Sequence, residues 1–452
     1  MKNIDEVIKS KKSIILWGVG RNFEKNIDII KKCITVKYVC DGDTKKHGKF
    51  FNEIKCISPT ELKKDYFVVI MISDSEIVKD IVKVIEGTCE YCKLEDILEF
   101  CNIQEEEKIV EANKNMLSFD DSKWNNIMKK YIGLNVPSTT CNLSCPYCYI
   151  RQNSDFLKSP ILPHLPRYIR LCLSQKRLGG QALVGLCGAG ETLLGDKIIE
   201  VCVELLEEGH FLHIVTNGTV TSKIRELISK AGKYANHIFF KFSFHYGEFL
   251  KRNLLDVFAQ NVKYVSGAGA SFTVELTTDD NLINQIDNIK EYSLSKFGAL
   301  PHITIARDET KPDLPIFTKL SDEEYYKIWS GFNSELFEVK WNYFGKHIKN
   351  CFAGERALYI ELLNGNVMKC LKQPPIDNLY SFDRKVLEYT RVEDSCNLPY
   401  CYNNHAYLTL GISPLIETFS FAKVRDRITN DGKHWVKPEM YEFMNQKLYD
   451  NN

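Results

Sequence analysis

From Tyr131 onward the chain repeats one pattern over roughly 175 residues. Strand-like apolar runs recur at YIGLNV, ALVGLC, FLHIVT, IFFKFSF, SFTVEL and HITIA, with amphipathic helical stretches between them. Units of about 30 residues have the length of a parallel strand plus its crossover helix, and right-handed crossovers wind such units into a curved sheet. The expected fold is α/β, a partial (β/α)6 TIM-like barrel over residues 131–310. Reactive groups in these sheets collect just past the carboxyl ends of the strands. Every candidate motif of the segment falls at such an end: Cys141 after the first strand, GAGET at 188–192 after the second, and TNGT at 216–219 after the third. Ser243 and His245 close the fourth strand, and Thr277 closes the fifth.

At 452 residues the chain has room for two to four domains. MKNIDEVIKSKK lacks an apolar signal-peptide region and no spanning-length apolar run follows, so a cytoplasmic protein without membrane contact is expected. The 59 basic residues balance the 59 acidic ones, which disfavours nucleic acid as a partner. The sixteen cysteines of such a chain are not a disulfide framework. Cys33, Cys40, Cys172 and Cys202 stand in apolar stretches, where a cysteine is a small buried hydrophobe. CNLSCPYC differs, because it places three thiols in eight positions. Soft thiolates select zinc, copper(I) or iron–sulfur clusters. Structural zinc takes four closed ligands, and no second pair adjoins Cys148. Three cysteines on a four-iron cube leave one iron bare for a small molecule.

Cys141, Cys145 and Cys148, spaced CxxxCxxC with Tyr147 before the last, resemble the signature of radical S-adenosylmethionine (SAM) enzymes. The resemblance implies that they hold a [4Fe-4S] cluster whose open iron takes the amino and carboxylate groups of SAM. An electron from a donor such as flavodoxin or ferredoxin then yields a 5'-deoxyadenosyl radical that abstracts a hydrogen atom. Gly190 and Glu191 resemble the family's glycine-glycine-glutamate segment, which holds the methionine amino group; Ala189 replaces its first glycine. Ser243 resembles the ribose or carboxylate contact, and Asn217 a residue common after the third strand. Ile303 and Ile305 match apolar residues that flank adenine. His245 is read first as a structural histidine, with proton donation or substrate contact as the alternative.

Before the barrel, SIILWGVGRN reads as a strand from Ile14 to Trp17, a turn at Gly18 and Gly20, and a helix through Ile30. Further runs at Val36–Cys40 and Tyr66–Ile72 complete a Rossmann-like domain over residues 1–110. Asp41 stands where a ribose-binding acid would, but Phe23 replaces the third fingerprint glycine, which favours a domain that binds no dinucleotide. WGVGRN, CDGDTKKHGKFF and ISPTEL in that order resemble small Rossmann-like domains on enzymes of surface-glycan and nucleotide-sugar pathways. IQEEEK at 103–108 reads as a solvated helix face or linker, and Cys89, Cys92 and Cys101 lack a fourth ligand for a metal.

After the barrel, Asn364–Gly365 within ALYIELLNGNVMKC is a hairpin signal, with positive φ expected at both positions. The hairpin folds Cys370 back toward Cys351; Cys396 and Cys401 follow in the loop SCNLPYC, and His405 stands by as a spare ligand. Four cysteines close a tetrahedral thiolate site, either an iron–sulfur cluster or zinc. The opening from Cys351 through Gly365 to Cys370 resembles the auxiliary-cluster domains called SPASM and twitch, and the short ending fits the single auxiliary [4Fe-4S] cluster of a twitch domain, residues 311–452. The combined expectation is an oxidoreductase acting on a small-molecule substrate, a sugar or nucleotide-linked sugar. A peptide-modifying maturase is the alternative, and a non-catalytic iron–sulfur or zinc interaction protein the second.

Overall fold

The computed structural model describes residues 6–7, 10, 12–117, 125–153, 158–346, 350–371, 373–382, 386–392, 396, 401, 403–414 and 417–451. The chain divides into two compact units, Met1–Ala112 with Pro163–Tyr168, and Asn113–Leu162 with Ile169–Asn452.

In the first unit β1 (Ser13–Trp17), β2 (Val36–Cys40), β3 (Phe50–Phe51), β4 (Ile54–Ile57), β5 (Tyr66–Ile70) and β6 (Glu90–Lys93) form one sheet in the order β3-β4-β2-β1-β5-β6. Only the β3–β4 pair is antiparallel. The glycine turn after β1 leads into a helix over Arg21–Cys33. Asp41 is consumed within this turn: one carboxylate oxygen accepts from the Val19 amide at 2.9 Å and from Lys46 Nζ at 2.8 Å, and the other from the Asp43 amide. The Val19 N–H that a dinucleotide phosphate would use is therefore already engaged.

The acidic run at 103–108 lies inside the helix Leu94–Ala112, and it is not wholly solvated as the sequence suggested. Glu106 is buried, its carboxylate accepting from the Leu165 amide and lying 2.6 Å from His164 Nδ1. A charge run in sequence does not show which member the fold will use. Cys92 and Cys101 are buried in one apolar cluster while Cys89 packs against another.

In the second unit β7 (Lys130–Val136), β8 (Ala182–Gly188), β9 (Phe211–Thr216), β10 (Ile238–Phe244), β11 (Ser271–Thr277) and β12 (His302–Thr304) pair in chain order, all parallel, as a partial-barrel core. Alternation sorts β10 by face. Phe242 and Phe244 lie against Phe258 of the helix Leu255–Gly267, and Lys241, Ser243 and the following His245 face the lumen. Each buried phenylalanine contributes about 1.5–3 kcal/mol.

The sheet does not end at β7. β13 (Ala357–Glu361) pairs with it in parallel, Leu358 opposite Ile132 and Ile360 opposite Leu134, and β14 (Asn366–Met368) and β15 (Pro375–Asn378) continue it antiparallel. The β13–β14 turn differs from the two-residue form expected. Gly365 alone has positive φ, at 75°. The four residues Leu362–Gly365 make the turn, closed by the Gly365 amide on the Glu361 carbonyl at 2.8 Å. Asn364 keeps ordinary φ because its side chain braces the turn, accepting from the Asn366 amide and donating to Glu361. A side chain at Gly365 would meet the Tyr380 ring at 2.5 Å.

The remaining carboxy-terminal segment packs beneath the strand starts. Leu183, Phe211 and Phe239, near the beginnings of β8, β9 and β10, share an apolar cluster with Leu336, Phe421, Met440 and Phe443. Phe443 stacks on Phe211 with ring centroids 3.8 Å apart. The barrel is thereby plugged at its amino end and left open at its carboxyl rim.

Candidate active site

The loops after the strands converge on a cavity of about 800 Å³ inside the second unit. Cys141, Cys145, Cys148, Tyr147, Gly190, Glu191, Asn217, Ser243 and Ile305 all line it. Ile303 does not: it is fully buried elsewhere, its amide donating to Ser334 Oγ. β12 ends at Thr304, so the chain leaves strand geometry before Ile305, and the two isoleucines separate.

The segment after β8 is pressed against the segment that carries the first cysteine. The Gly190 amide donates to the Ser138 carbonyl at 2.6 Å, the Glu191 amide to the Thr140 carbonyl at 2.9 Å, and Ser138 Oγ to the Glu191 carbonyl at 2.6 Å. A Cβ on Gly190 would lie 2.1 Å from the Thr140 carbonyl oxygen, so glycine is obligatory for close approach. Glu191 in turn ties this loop to the end of β9. Its carboxylate accepts from the Asn217 amide at 2.7 Å, Thr216 Oγ1 at 2.6 Å and the Leu193 amide at 3.1 Å. Burial lifts the carboxyl above its usual range in spite of these donors.

Asn217 passes the order on to the cysteine loop. Its Nδ2 donates to Asn142 Oδ1 at 2.8 Å and lies 3.9 Å from Cys141 Sγ, while its Oδ1 accepts from the Thr219 amide and hydroxyl. At the far end of the loop Tyr147 OH reaches His245 Nδ1 at 2.8 Å. Burial, with Lys241 nearby, pushes His245 down to about 3, so the ring is neutral and Nδ1 accepts the phenolic proton. Burial also raises the Cys141 and Cys145 thiols, and Cys148 adds to both shifts. Three thiols close enough to repel one another as thiolates stand at one mouth of the cavity.

The second thiol set lies at the other end of the strands. Cys351 precedes β13 and Cys370 follows β14, which runs back antiparallel, so both stand toward the amino ends of β7 and β13. Cys351, Cys370, Cys396 and Cys401 pack against the apolar plug. Burial pushes Cys351 up to about 11, with Cys370 and Cys396 contributing, and Cys401 is raised by burial and by the other three. Tyr407 OH donates to Cys370 Sγ at 3.4 Å. The proline of SCNLPYC lies outside the described residues. Cys401 and His405 line the same cavity as Cys148. Seven residues of strand separate the two ends, roughly 20 Å. Among the described residues, no three His, Cys, Asp or Glu side chains are grouped to hold a single metal ion.

The sequence reading missed a charged group on the cavity floor: Lys241, Glu275, Lys340 and Arg425, with His213 beside them. Lys241 within IFFKFSF and Glu275 within SFTVEL were legible signals, each a lone charge at a lumen-facing position of an apolar strand. Nothing local marked Lys340 or Arg425, which arrive from distant segments.

These features have counterparts in a known class. Residues 135–292 match the Radical SAM superfamily model, and the chain carries a radical SAM domain, whose cofactors are a [4Fe-4S] cluster and SAM. Residues 10–93 match a second model, described as C2185-like, N-terminal. Among solved structures the chain is similar to SuiB of Streptococcus suis bound to S-adenosylmethionine, at 14% identity and TM-score 0.38, covering 79% of this chain and 76% of that one. It is similar to anSMEcpe with bound AdoMet and Kp18Cys peptide at 13% identity and TM-score 0.41, covering 56% and 79%. It is also similar to BtrN in complex with AdoMet and 2-DOIA, at 15% identity and TM-score 0.32, covering 56% and 78%. No curated protein matches the chain significantly. Among the described residues no helix is long and apolar enough to cross a membrane.

Proposed function

We propose that this radical SAM enzyme oxidises a small-molecule substrate, a sugar or nucleotide-linked sugar, held in the cavity between two iron–sulfur clusters. Cys141, Cys145 and Cys148 hold the cluster that binds SAM; Cys351, Cys370, Cys396 and Cys401 hold an auxiliary [4Fe-4S] cluster. One observation carries the reading: a single cavity is lined by the first three thiols at one end and by Cys401 at the other. Three cysteines leave one iron of a four-iron cube open to a small molecule, whereas structural zinc takes four closed ligands.

The bound cofactors supply a hydrogen-abstracting radical at one end and an electron acceptor at the other. The chain supplies placement and exclusion of water. Gly190 and Glu191 set the position of the cysteine loop, Asn217 donates toward Cys141, and the Tyr147–His245 contact holds the loop's far end. Ser243 and Ile305 flank the cavity where SAM would lie.

Anoxic reconstitution with iron and sulfide tests the reading. Release of 5'-deoxyadenosine from SAM under reduction should vanish in Cys145→Ala. Cys370→Ser should remove about half of the bound iron and spare that release while stopping substrate oxidation. Zinc in place of iron at the second thiol set, or unchanged oxidation in Cys370→Ser, would overturn the electron-acceptor role; tight binding of a leader peptide without response to nucleotide sugars would overturn the substrate class.

A further inference from the structure

The cavity floor carries more positive charge than its own carboxylate balances. Glu275 is 2% exposed and accepts a hydrogen bond from Thr304 Oγ1 at 2.7 Å. Lys340 Nζ lies 3.4 Å from its carboxylate, Lys241 Nζ 3.6 Å and Arg425 Nε 3.9 Å. Three cations thus surround one anion, all four lining the cavity. The other acids of the lining do not restore the balance: Glu309 pairs with Arg307 at 2.9 Å, and Glu191 is occupied by its three donors at the rim.

A buried carboxylate is satisfied by one good cationic partner, and further buried cations add desolvation cost and mutual repulsion. Burial pushes Arg425 down to about 10; burial, and repulsion from Lys241 and Arg425, push Lys340 down to about 8 in spite of Glu275. Buried polar atoms beside them also lack a hydrogen-bond partner within the chain, namely Arg425 Nε and both ring nitrogens of His213. The Arg425 guanidinium stacks on Phe421 at 3.6 Å, which fixes its plane. Planar donors held in place beside excess positive charge suit a bound oxyanion.

We propose that this floor seats a phosphate group of the substrate, with Lys241, Lys340 and Arg425 as its counter-charges and His213 as a hydrogen-bond partner. The excess of two positive charges matches a phosphate dianion, whereas a carboxylate leaves one charge unmatched. The inference rests on the reading of this cavity as the substrate site, and it narrows the substrate to a phosphorylated or diphosphate-linked molecule.

Calorimetric titration of the reconstituted full chain with inorganic phosphate, pyrophosphate and acetate tests it. Phosphate or pyrophosphate should bind one to one, and acetate far more weakly; a preference for phosphate marks a monoester substrate and one for pyrophosphate a diphosphate. Lys340→Met and Arg425→Met should each weaken binding by about tenfold or more. Glu275→Gln should tighten it, a change of sign that loss of the fold cannot imitate. The proposal is overturned if neither anion binds, if binding survives both cation substitutions unchanged, or if S-adenosylhomocysteine displaces the anion, which would assign the seat to the SAM carboxylate. Retained phosphate binding without 5'-deoxyadenosine release would break the enzymatic reading alone; release without phosphate binding would break this inference alone.

Discussion

The Tyr147 hydroxyl lies 2.8 Å from Nδ1 of His245, joining the residue before the last cysteine of the loop to the residue after β10. Tyr147 is buried and His245 half-buried, and the ring accepts because the desolvation of its site holds it neutral. Removing the hydroxyl in Tyr147→Phe leaves that acceptor unsatisfied, so unfolding stability should fall by about 1–3 kcal/mol. A double-mutant cycle with His245→Phe, read by chemical denaturation, should return a coupling of about 0.5–3 kcal/mol. Additive losses would show that the contact contributes nothing.

Gly190→Ala places a methyl group where the Thr140 carbonyl already stands. That clash involves backbone on both sides, so no rotamer relieves it. The substitution should cost about 1–3 kcal/mol and displace the chain leading into Cys141, and iron content after reconstitution should fall. The same change at Gly267, which has open space around it, is the control.

Asn217 Nδ2 lies 3.9 Å from Cys141 Sγ, so on the proposed reading, in which Cys141 holds a cluster, this amide would donate to cluster-bound sulfur. Hydrogen bonds to sulfur stabilise the more negative, reduced state. Asn217→Ala should therefore shift the cluster's potential to a more negative value. A redox titration followed by electron paramagnetic resonance measures this directly, and an unchanged potential would leave Asn217 with a scaffolding role only.

His210 makes stability depend on pH. Its ring accepts from the Ala182 amide and Nε2 donates to the Leu173 carbonyl, an arrangement that requires the neutral form. Burial pushes its pKa down to about 4, against roughly 6.5 when unfolded. The unfolded chain thus binds the proton first: stability is complete above the unfolded value and is lost as pH falls toward the folded one, by about 1.4 kcal/mol per pH unit. Burial depresses His213, His245, His302 and His405 in the same way, so urea melts across that window should fall more steeply than one proton alone gives, and His210→Gln should reduce the slope by one proton.

Much of this was legible because strand alternation and glycine punctuation are local. FLHIVT and IFFKFSF coincide with β9 and β10 residue for residue, and the rim position of Cys141, Glu191 and Asn217 follows from strand ends alone. HITIA was read too long, since β12 stops at Thr304 and Ile305 reaches the cavity from a loop. Asn364 failed as a positive-φ residue because its side chain braces a four-residue turn. Sequence spacing also could not show that Glu106 would be drawn inward to meet His164. The charged floor depends on contacts such as Lys340 with Glu275, 65 positions apart, and no window of sequence contains both.

The pairing of β13 with β7 has a consequence for how the carboxy-terminal segment can be inherited or engineered. It is not a bead on a linker that can be shed. Cutting the chain before β13 would strip β7 of a neighbour and lay bare a row of unsatisfied amides and carbonyls, along with the apolar underside of the barrel. A truncated form is therefore expected to clump rather than survive as a free-standing catalyst, and exchange of this segment between relatives should succeed only where the seam along β7 is carried over with it.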